Sequence, residues 1–170
     1  RVLVNGAEQM SGYTSNDFSE PLQYMVFSSN GEMNIYNVSV SGTGLPTVII
    51  NTPKGAAVPP KTADWLEGTY IKIINPDGTV DYEGKEDNIR GRGNSTWGYP
   101  KKPYALKLDS KASILGMPKH KRWVLLANWM DRTMLRNRVA FTIAEKTCLE
   151  WTPRGEFVEV ILNGKHVGNY

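Results

Sequence analysis

The sequence is poor in the residues that build disulfides and most metal centres. Its single cysteine, Cys148, excludes an intramolecular disulfide and a cysteine metal cluster. The residues around it, 144–149, are typical of a helix, so we expect a buried and unreactive thiol. The two histidines, His120 and His166, have no partner at metal-ligand spacing. No metal-binding residue is therefore predicted.

The chain also lacks a large excess of charge and any long apolar run. A net charge of +3 over 170 residues is smaller than dedicated nucleic-acid-binding proteins usually carry, so no nucleic-acid partner is expected. Apolar runs are short, and the run at 158–162 is broken by Glu159. No transmembrane segment is predicted. With 40% hydrophobic and 22% charged residues, the composition is that of a globular protein.

Residues 1–45 are predicted to form part of a β module. Strand-like runs at 2–4, 24–27 and 35–40 are separated by Asn-Gly and Ser-Gly clusters, which favour turns because both residue types tolerate positive φ. The composition changes after residue 45, where prolines begin to interrupt the pattern. This change predicts a domain boundary, with a second domain at 46–170.

Two hairpins are predicted in the second domain. Asn75-Pro76-Asp77-Gly78 is a strong turn sequence, so residues 70–74 and 79–83 should pair. Asn163-Gly164 lies between two β-rich runs, which is the best short-range signal for a hairpin. The chain stops six residues into the return strand, and we expect it to be a piece of a longer protein. The open edge of that strand predicts a homodimer formed by strand pairing.

One helix is predicted, from Asp131 to about Thr147. Asp131 can cap the first turn by accepting a backbone N–H. Leu135, Val139 and Ile143 recur at helical spacing and are expected to form its apolar stripe.

Residues 88–108, NIRGRGNSTWGYPKKPYALKL, hold three glycines, five cations and three aromatic rings. Glycine backbone and hydroxyl groups can surround an anion, which makes the following residues candidate phosphate ligands: Arg90, Gly91, Arg92, Gly93, Asn94, Ser95 and Thr96. Thr96 stands where the G-x-G-x-x-G fingerprint needs a glycine, and no G-K-[ST] ending is present. The alternative is a strand softened by glycine and followed by a solvated turn.

Lys107 is the one cation of this stretch placed on a regular strand. Tyr104, Leu106 and Leu108 share one face by the two-residue period, and Lys107 lies on the other. Arg90 and Arg92 are likewise expected to share a face. Ala105-Leu106-Lys107 matches the A-x-K of a kinase nucleotide lysine; the alternative is a solvent-facing lysine with no role.

Trp97, Tyr99 and Tyr104 lie near Lys101 and Lys102. These rings could stack on bases or sugars, or they could pack across the sheet as hydrophobic cross-strand pairs.

The run RGRGNSTWGYPKKPYALKLDSKASILGMPKHKRWVLLANWMDRTMLRNRVAF, followed by VEVILNGKHVGNY, resembles the CotH kinase family, which is related to the bacterial spore-coat protein H. The family pattern has RGxGNS/T, then KKPYxLKL, then LLGMPKxxxWVLLANxxDxxxLRN, and ends in a VEVxxNGxYxGxY hairpin. The agreement runs in order from about Ile89 to Tyr170. His166 departs from it, because an aromatic residue is expected there.

The resemblance implies an atypical protein kinase that uses ATP and a divalent metal, Mg²⁺, to phosphorylate serine on protein substrates. Residues 46–170 would be the small lobe, an α+β fold made mainly of twisted antiparallel sheet with one helix. Arg90 to Thr96 would then lie near the nucleotide, and Lys107 would contact a phosphate and pair with Glu145 or Asp131. The catalytic acids are expected beyond Tyr170, so this fragment is expected to be inactive alone.

The N-terminal stretch, with its DFS-P-x-Y-V pattern, resembles Ig-like modules of bacterial surface proteins. This resemblance implies that the parent protein is exported and is either extracellular or at the cell surface, for example as a lipoprotein. Two other functions stay open beside the kinase. One is a non-enzymatic surface or coat assembly protein, and the other is a carbohydrate-binding β module that uses Trp97, Tyr99 and Tyr104.

Overall fold

The computed structural model describes residues 1–18, 20–40 and 42–170. Ser19, which belongs to the DFS pattern, and Ser41 lie outside the described residues. The chain divides into two compact units, Arg1–Thr43 and Gly44–Tyr170.

The first unit is a four-stranded antiparallel sheet in the order β2-β1-β3-β4. The strands predicted at 2–4, 24–27 and 35–40 are confirmed, with bounds β1 Val2–Val4, β2 Ala7–Glu8, β3 Leu22–Phe27 and β4 Met33–Val38. Among the described residues of this unit, Val4 is the hydrophobic residue that is fully buried, at 3% exposure. Along β4, Met33, Ile35 and Tyr36 are about half exposed.

The second unit is a seven-stranded sheet with one α-helix, which confirms a mainly β fold of the α+β class. The strand order is β11-β10-β5-β6-β7-β8-β9. Neighbours are antiparallel except β10 and β5, which run parallel. The elements are β5 Thr47–Asn51, β6 Leu66–Ile74, β7 Val80–Gly91, β8 Tyr104–Ala112, β9 His120–Leu125, α1 Leu135–Glu145, β10 Glu159–Leu162 and β11 Lys165–Asn169.

One face of this sheet carries the core, and we call it the core face; the other is the outer face. The predicted alternation along β8 is confirmed, since Tyr104, Leu106 and Leu108 are buried while Lys107 is only half-buried. The core residues with no more than 2% exposure come from several strands and lie on β5, β6, β7, β8 and β10: Val48, Ile50, Ile71, Ile89, Leu108 and Val160. Burial of each such side chain stabilises the folded protein by roughly 1.5–3 kcal/mol.

Both predicted hairpins are present. In the first, β6 pairs with β7 from Ile74 and Val80 onward, and the Gly78 N–H donates to the Asn75 carbonyl at 2.9 Å. In the second, Asn163 and Gly164 have φ values of 49° and 75°. Two consecutive positive φ values are those of the type I′ turn that suits the right-handed twist of the flanking strands.

The helix is shorter than predicted, because α1 spans Leu135–Glu145. Met134 has a left-handed φ of 59° and ends the preceding turn. The Asp131 carboxylate accepts N–H bonds from Thr133 at 3.2 Å and from Arg136 at 2.9 Å. It therefore caps the first turn, as predicted, from outside the helix. Over the described part of the chain, no helix is long and apolar enough to span a membrane.

The predicted orientation of the helix and the predicted burial of Cys148 are both wrong. Leu135, Val139 and Ile143 are 52%, 53% and 59% exposed. The inward side is formed by Met134, Arg138 and Phe141, which also recur at helical spacing. Sequence reasoning passed over this side because an arginine interrupts it. Cys148 lies beyond the helix, where the chain has turned away, and it is exposed.

Candidate functional site

The glycine loop, residues 90–96, begins as strand and continues as a tight turn. Arg90 and Gly91 end β7, and Ser95 opens a short 3₁₀ turn. A Cβ atom at Gly91 would lie 2.6 Å from the ring of Trp97. Gly91 is therefore required by the packing of Trp97 against the strand.

A left-handed glycine and hydrogen bonds to neighbouring segments hold this loop in place. Gly93 has a φ of 86°, in the left-handed region that favours glycine. The Asn94 side-chain oxygen accepts a bond from Lys61 Nζ, and Lys102 Nζ donates to the Trp97 carbonyl at 2.7 Å. The N–H groups of Gly91 and Arg92 donate to the carbonyls of Pro59 and Pro103. Any capture of an anion by loop amides would thus fall to residues 93–96.

Two of the three aromatic residues of this stretch pack inside the protein. Trp97 meets Tyr104 edge-on at 6.2 Å between ring centroids, and Tyr104 meets Tyr170 at 6.1 Å. Tyr104 is 6% exposed, and burial raises the pKa of its hydroxyl. Trp97 and Tyr104 therefore pack against other rings of the protein, as in the second interpretation given above, hydrophobic packing across the sheet.

Lys107 lies on the outer face of the sheet. Its Cα partners are Asn88 on β7 and Arg122 on β9, and its Nζ lies 6.0 Å from the ring centroid of Trp65. The acids expected as partners of Lys107 have other partners. Asp131 forms an ion pair with Arg136 at 3.8 Å, and Glu145 pairs with Arg154 at 3.4 Å.

A groove of about 820 Å³ opens on the core face, between the sheet, α1 and the segment 150–158. Its apolar lining comes mostly from β8, β9, α1 and that segment, and includes Leu106, Trp123, Leu125, Phe141 and Phe157. Volumes of 300–1,000 Å³ with an apolar lining and a few polar groups are typical of ligand sites.

Four arginines line this groove: Arg92, Arg122, Arg138 and Arg154. Arg138 Nη1 donates to the Gly155 carbonyl and, at 3.0 Å, to Glu156 Oε1. Arg154 is paired with Glu145. In the described part of the chain, Arg92 and Arg122 form no salt bridge with a carboxylate. Glu150 also lines the groove, and the Arg122 guanidinium lies 5.7 Å from the ring centroid of Trp65 on the outer face. Arg92 is therefore the lining cation that suits an anionic ligand.

The structure separates the predicted site residues. Arg92 lies past the end of β7, where the two-residue alternation no longer holds, and it lines the groove. Arg90 lies over Trp65, with its Cζ 4.4 Å from the ring centroid. Arg90 and Lys107 thus meet at Trp65, whereas Arg92 faces the groove.

Residues 89–170 match the family model described as CotH kinase protein. Over these residues the chain is similar to the CotH kinase family. The resemblance drawn from the glycine loop, the KKPYxLKL strand and the C-terminal hairpin is confirmed over that range. A search of curated proteins finds no match to the chain.

The CotH segment supplies nearly all of the groove. Val48 and Ile73 are the lining residues that precede it. Trp65, the ring on the outer face, also precedes it. Sequence reasoning missed Arg122, Arg138 and Trp65. The alternation of β9 could have placed Arg122 on a face, but no local pattern joins Trp65 to residues 25 or more positions away.

The residues of the groove fit part of a nucleotide. The apolar lining suits a base, and Arg92 suits phosphate oxygens. Among the residues that the structure describes, no three His, Cys, Asp or Glu side chains gather where they could hold a metal ion.

Proposed function

We propose that the CotH segment forms the nucleotide-binding part of a protein kinase, which transfers a phosphoryl group from ATP to serine of a protein substrate. The observation that carries this proposal is the groove on the core face. It is built by the kinase-family segment, it has the volume of a ligand site, and two of its four arginines lack a carboxylate partner in the described chain.

In this proposal the chain's own residues bind and orient the nucleotide. The base packs on the apolar lining near Phe141 and Trp123. Arg92, within the glycine loop, donates charge-assisted hydrogen bonds to phosphate oxygens. Cations placed beforehand around the transferring phosphate supply much of the catalysis in kinases. A bound Mg²⁺ would neutralise further phosphate charge.

The residues predicted to bind the nucleotide lie on both faces of the sheet, so the test must distinguish the two faces. A fluorescent ATP analogue is titrated into the 170-residue chain, with and without Mg²⁺, and then displaced with adenosine. Adenosine has no phosphate, so the signal that it displaces reports on the base site. We expect Arg92→Gln to weaken this binding about tenfold or more, because a hydrogen bond to a charged group is lost.

Lys107→Gln is the matched control for this experiment, because it removes the same charge from the outer face. It should leave the binding displaced by adenosine nearly unchanged. If Lys107→Gln loses this binding and Arg92→Gln keeps it, the nucleotide site lies on the outer face. A folded chain without binding displaced by adenosine would contradict the proposal.

We also propose that the parent protein is exported and acts at the cell surface. The support is the resemblance of the N-terminal unit to bacterial surface modules. Fractionation of the producing cells tests this, and a strictly cytoplasmic protein would contradict it.

A homodimer through the outer edge of β11 is a further proposal. This strand ends the sheet and pairs with β10 on its other side, so its outer backbone groups can accept a second copy. Sedimentation analysis tests the proposal, and a monomer mass independent of concentration would exclude it.

A further inference from the structure

The two sheets have four edge strands, β2 and β4 in the first unit and β9 and β11 in the second. An edge strand presents unpaired backbone N–H and C=O groups, and proteins usually protect it by short length, charge, proline or a bulge. β2 has only two residues. β9 carries Lys121 and Arg122, and β11 carries Lys165 and pairs with β10 through a register shift. Each of these three edges therefore has at least one protective feature.

The fourth edge strand, β4, has none of these protective features. Its six residues, MNIYNV, include no charged residue, proline or glycine. It pairs with β3 along its whole length without a register shift. Met33, Ile35 and Tyr36 are 48%, 49% and 55% exposed, so apolar side chains accompany the open edge. Of the four described edges, β4 is therefore the one best suited to accept a further strand.

The backbone of β4 points outward at alternate residues, and the hydrogen bonds of its neighbour β3 show which ones. The Phe27 N–H donates to the Arg1 carbonyl at 2.8 Å, so the odd-numbered residues of β3 bond toward β1. The Ser28 N–H donates to the Glu32 carbonyl at 2.9 Å, so the even-numbered ones bond toward β4, because the direction alternates along a strand. The residues of β4 whose backbone faces away from β3 are those opposite its odd-numbered residues: Met33, Ile35 and Asn37. Among the described residues, no hydrogen bond to their outward N–H and C=O groups is present.

We propose that β4 pairs with β4 of a second copy of this chain, in an antiparallel register centred on Ile35. A two-fold axis at Ile35 places this residue opposite its own copy and Met33 opposite the second copy's Asn37. All three outward-facing residues then meet outward-facing residues, so each pair exchanges both N–H···O bonds. The two four-stranded sheets thus join into one continuous sheet.

Charge and size argue for a second copy as the occupant of this edge. β4 contributes no charge, so two copies meet without repulsion, whereas two copies of β9 would bring Lys121 and Arg122 close to like charges. The new cross-strand pairs include Ile35 with Ile35, an apolar contact at the centre of the pairing. β4 offers six residues, where a standard interface involves roughly 20–30 residues a side. We therefore expect a weak and reversible dimer.

The first test measures the mass of the 170-residue chain by sedimentation equilibrium over a range of concentrations. We expect a reversible dimer in wild type. Ile35→Lys should weaken dimerisation about tenfold or more, because two like charges then lie directly opposite each other. Val124→Lys is the matched control, since Val124 is 46% exposed on the edge strand β9, and it should leave the dimer intact. Equal weakening by Val124→Lys would show only general association of apolar surface and would overturn the inference.

A disulfide test determines the register. In the Cys148→Ser background, which removes the exposed native thiol, Ile35→Cys places two thiols across the two-fold axis. Their Cα atoms should lie about 5.5 Å apart, as in a hydrogen-bonded antiparallel pair, and a disulfide spans that distance. Mild oxidation should therefore link two Ile35→Cys chains.

Tyr36→Cys is the matched control for the disulfide test. Tyr36 lies diagonal to its own copy, at roughly 7–8 Å, which is beyond the reach of a disulfide without backbone movement. Tyr36→Cys chains should therefore stay unlinked under the same oxidation. Equal linking of the two variants would exclude a register centred on Ile35 and overturn the inference.

The same variants separate this inference from the dimer proposed above through β11. Pairing through β11 alone would leave a dimer in Ile35→Lys and no disulfide in Ile35→Cys, and this result would overturn the inference. A chain that stays monomeric and unlinked would overturn it as well, including the case in which β4 accepts only strands of other proteins. A melting curve on each variant verifies that it remains folded. Because Ile35→Cys is the smaller change, the disulfide test decides if Ile35→Lys does not fold.

Discussion

On the core face of the second unit, Leu106 and Leu108 are 3% and 0% exposed, and charged groups mostly meet partners, as Arg138 meets Glu156. On the outer face of the same strand, Lys107 lies beside Arg122 and Arg90 with no salt bridge among the described residues. Alternate residues of the same strand form the two faces. The contrast indicates that stability is concentrated on one face, while the other tolerates repulsion between like charges.

The sharpest way to break this comparison is to change two adjacent residues of β8. Leu108→Ala should destabilise the protein by about 2–5 kcal/mol, because it leaves a cavity in the core. Lys107→Ala should change the free energy of unfolding by no more than about 0.5 kcal/mol. Urea denaturation of both variants measures the difference. Similar losses for the two would show that the outer face also carries stability.

A smaller effect is expected where the glycine loop meets the core face. Gly91→Ala places a methyl group 2.6 Å from the Trp97 ring, so the ring must move, at a cost of about 1–3 kcal/mol. Gly98→Ala is the matched control, because its Cβ would meet nothing within 4 Å. Denaturation together with tryptophan fluorescence reports both effects. Normal stability in Gly91→Ala would show that Trp97 packs elsewhere.

The smallest effect concerns the turn before α1, where Asp131 caps the helix. Hydrogen bonds, first of all from the Arg136 N–H, lower the pKa of Asp131. A carboxyl whose pKa is lowered by folding stabilises the folded state above its unfolded pKa, near 3.9, and the stabilisation is lost as the pH falls. Asp131→Ala should therefore lower the urea midpoint at pH 7, and the difference from wild type should shrink below about pH 4.

Asp131→Asn sharpens this measurement, because asparagine keeps an accepting oxygen for the cap and does not titrate. Its stability should lie between those of the wild type and Asp131→Ala at pH 7. A difference between wild type and Asp131→Ala that stays the same at low pH would contradict the role of the ionised carboxylate.

Local patterns predicted the local parts of this fold. Asn75-Pro76-Asp77-Gly78 and Asn163-Gly164 each determine a turn within a few residues, and both hairpins are confirmed. The alternation of Tyr104, Leu106 and Leu108 likewise follows from neighbours in sequence. The residues of the CotH family pattern predicted the family over 89–170.

Features that depend on distant contacts could not be predicted in this way. The face of α1 was misassigned because two stripes share the helical period, and only the position of the sheet decides that Met134 and Phe141 turn inward. The groove likewise depends on how the segment 150–158 folds back. Trp65 meets Arg90, Lys107 and Arg122 through strand register, which no short window of sequence contains.

The parallel pairing of β5 with β10 has a consequence for how the protein is made. Thr47–Ile50 lie beside Glu159–Leu162, and the Asn163 side chain accepts the Thr52 N–H across 111 residues. During synthesis, β5 and β6 leave the ribosome long before β10 is made. The edge of β5 that pairs with β10 therefore stays unpaired while the intervening residues emerge. Contacts so distant in sequence close late and slowly. The nascent chain is then most open to aggregation and to chaperones until β10 has left the ribosome.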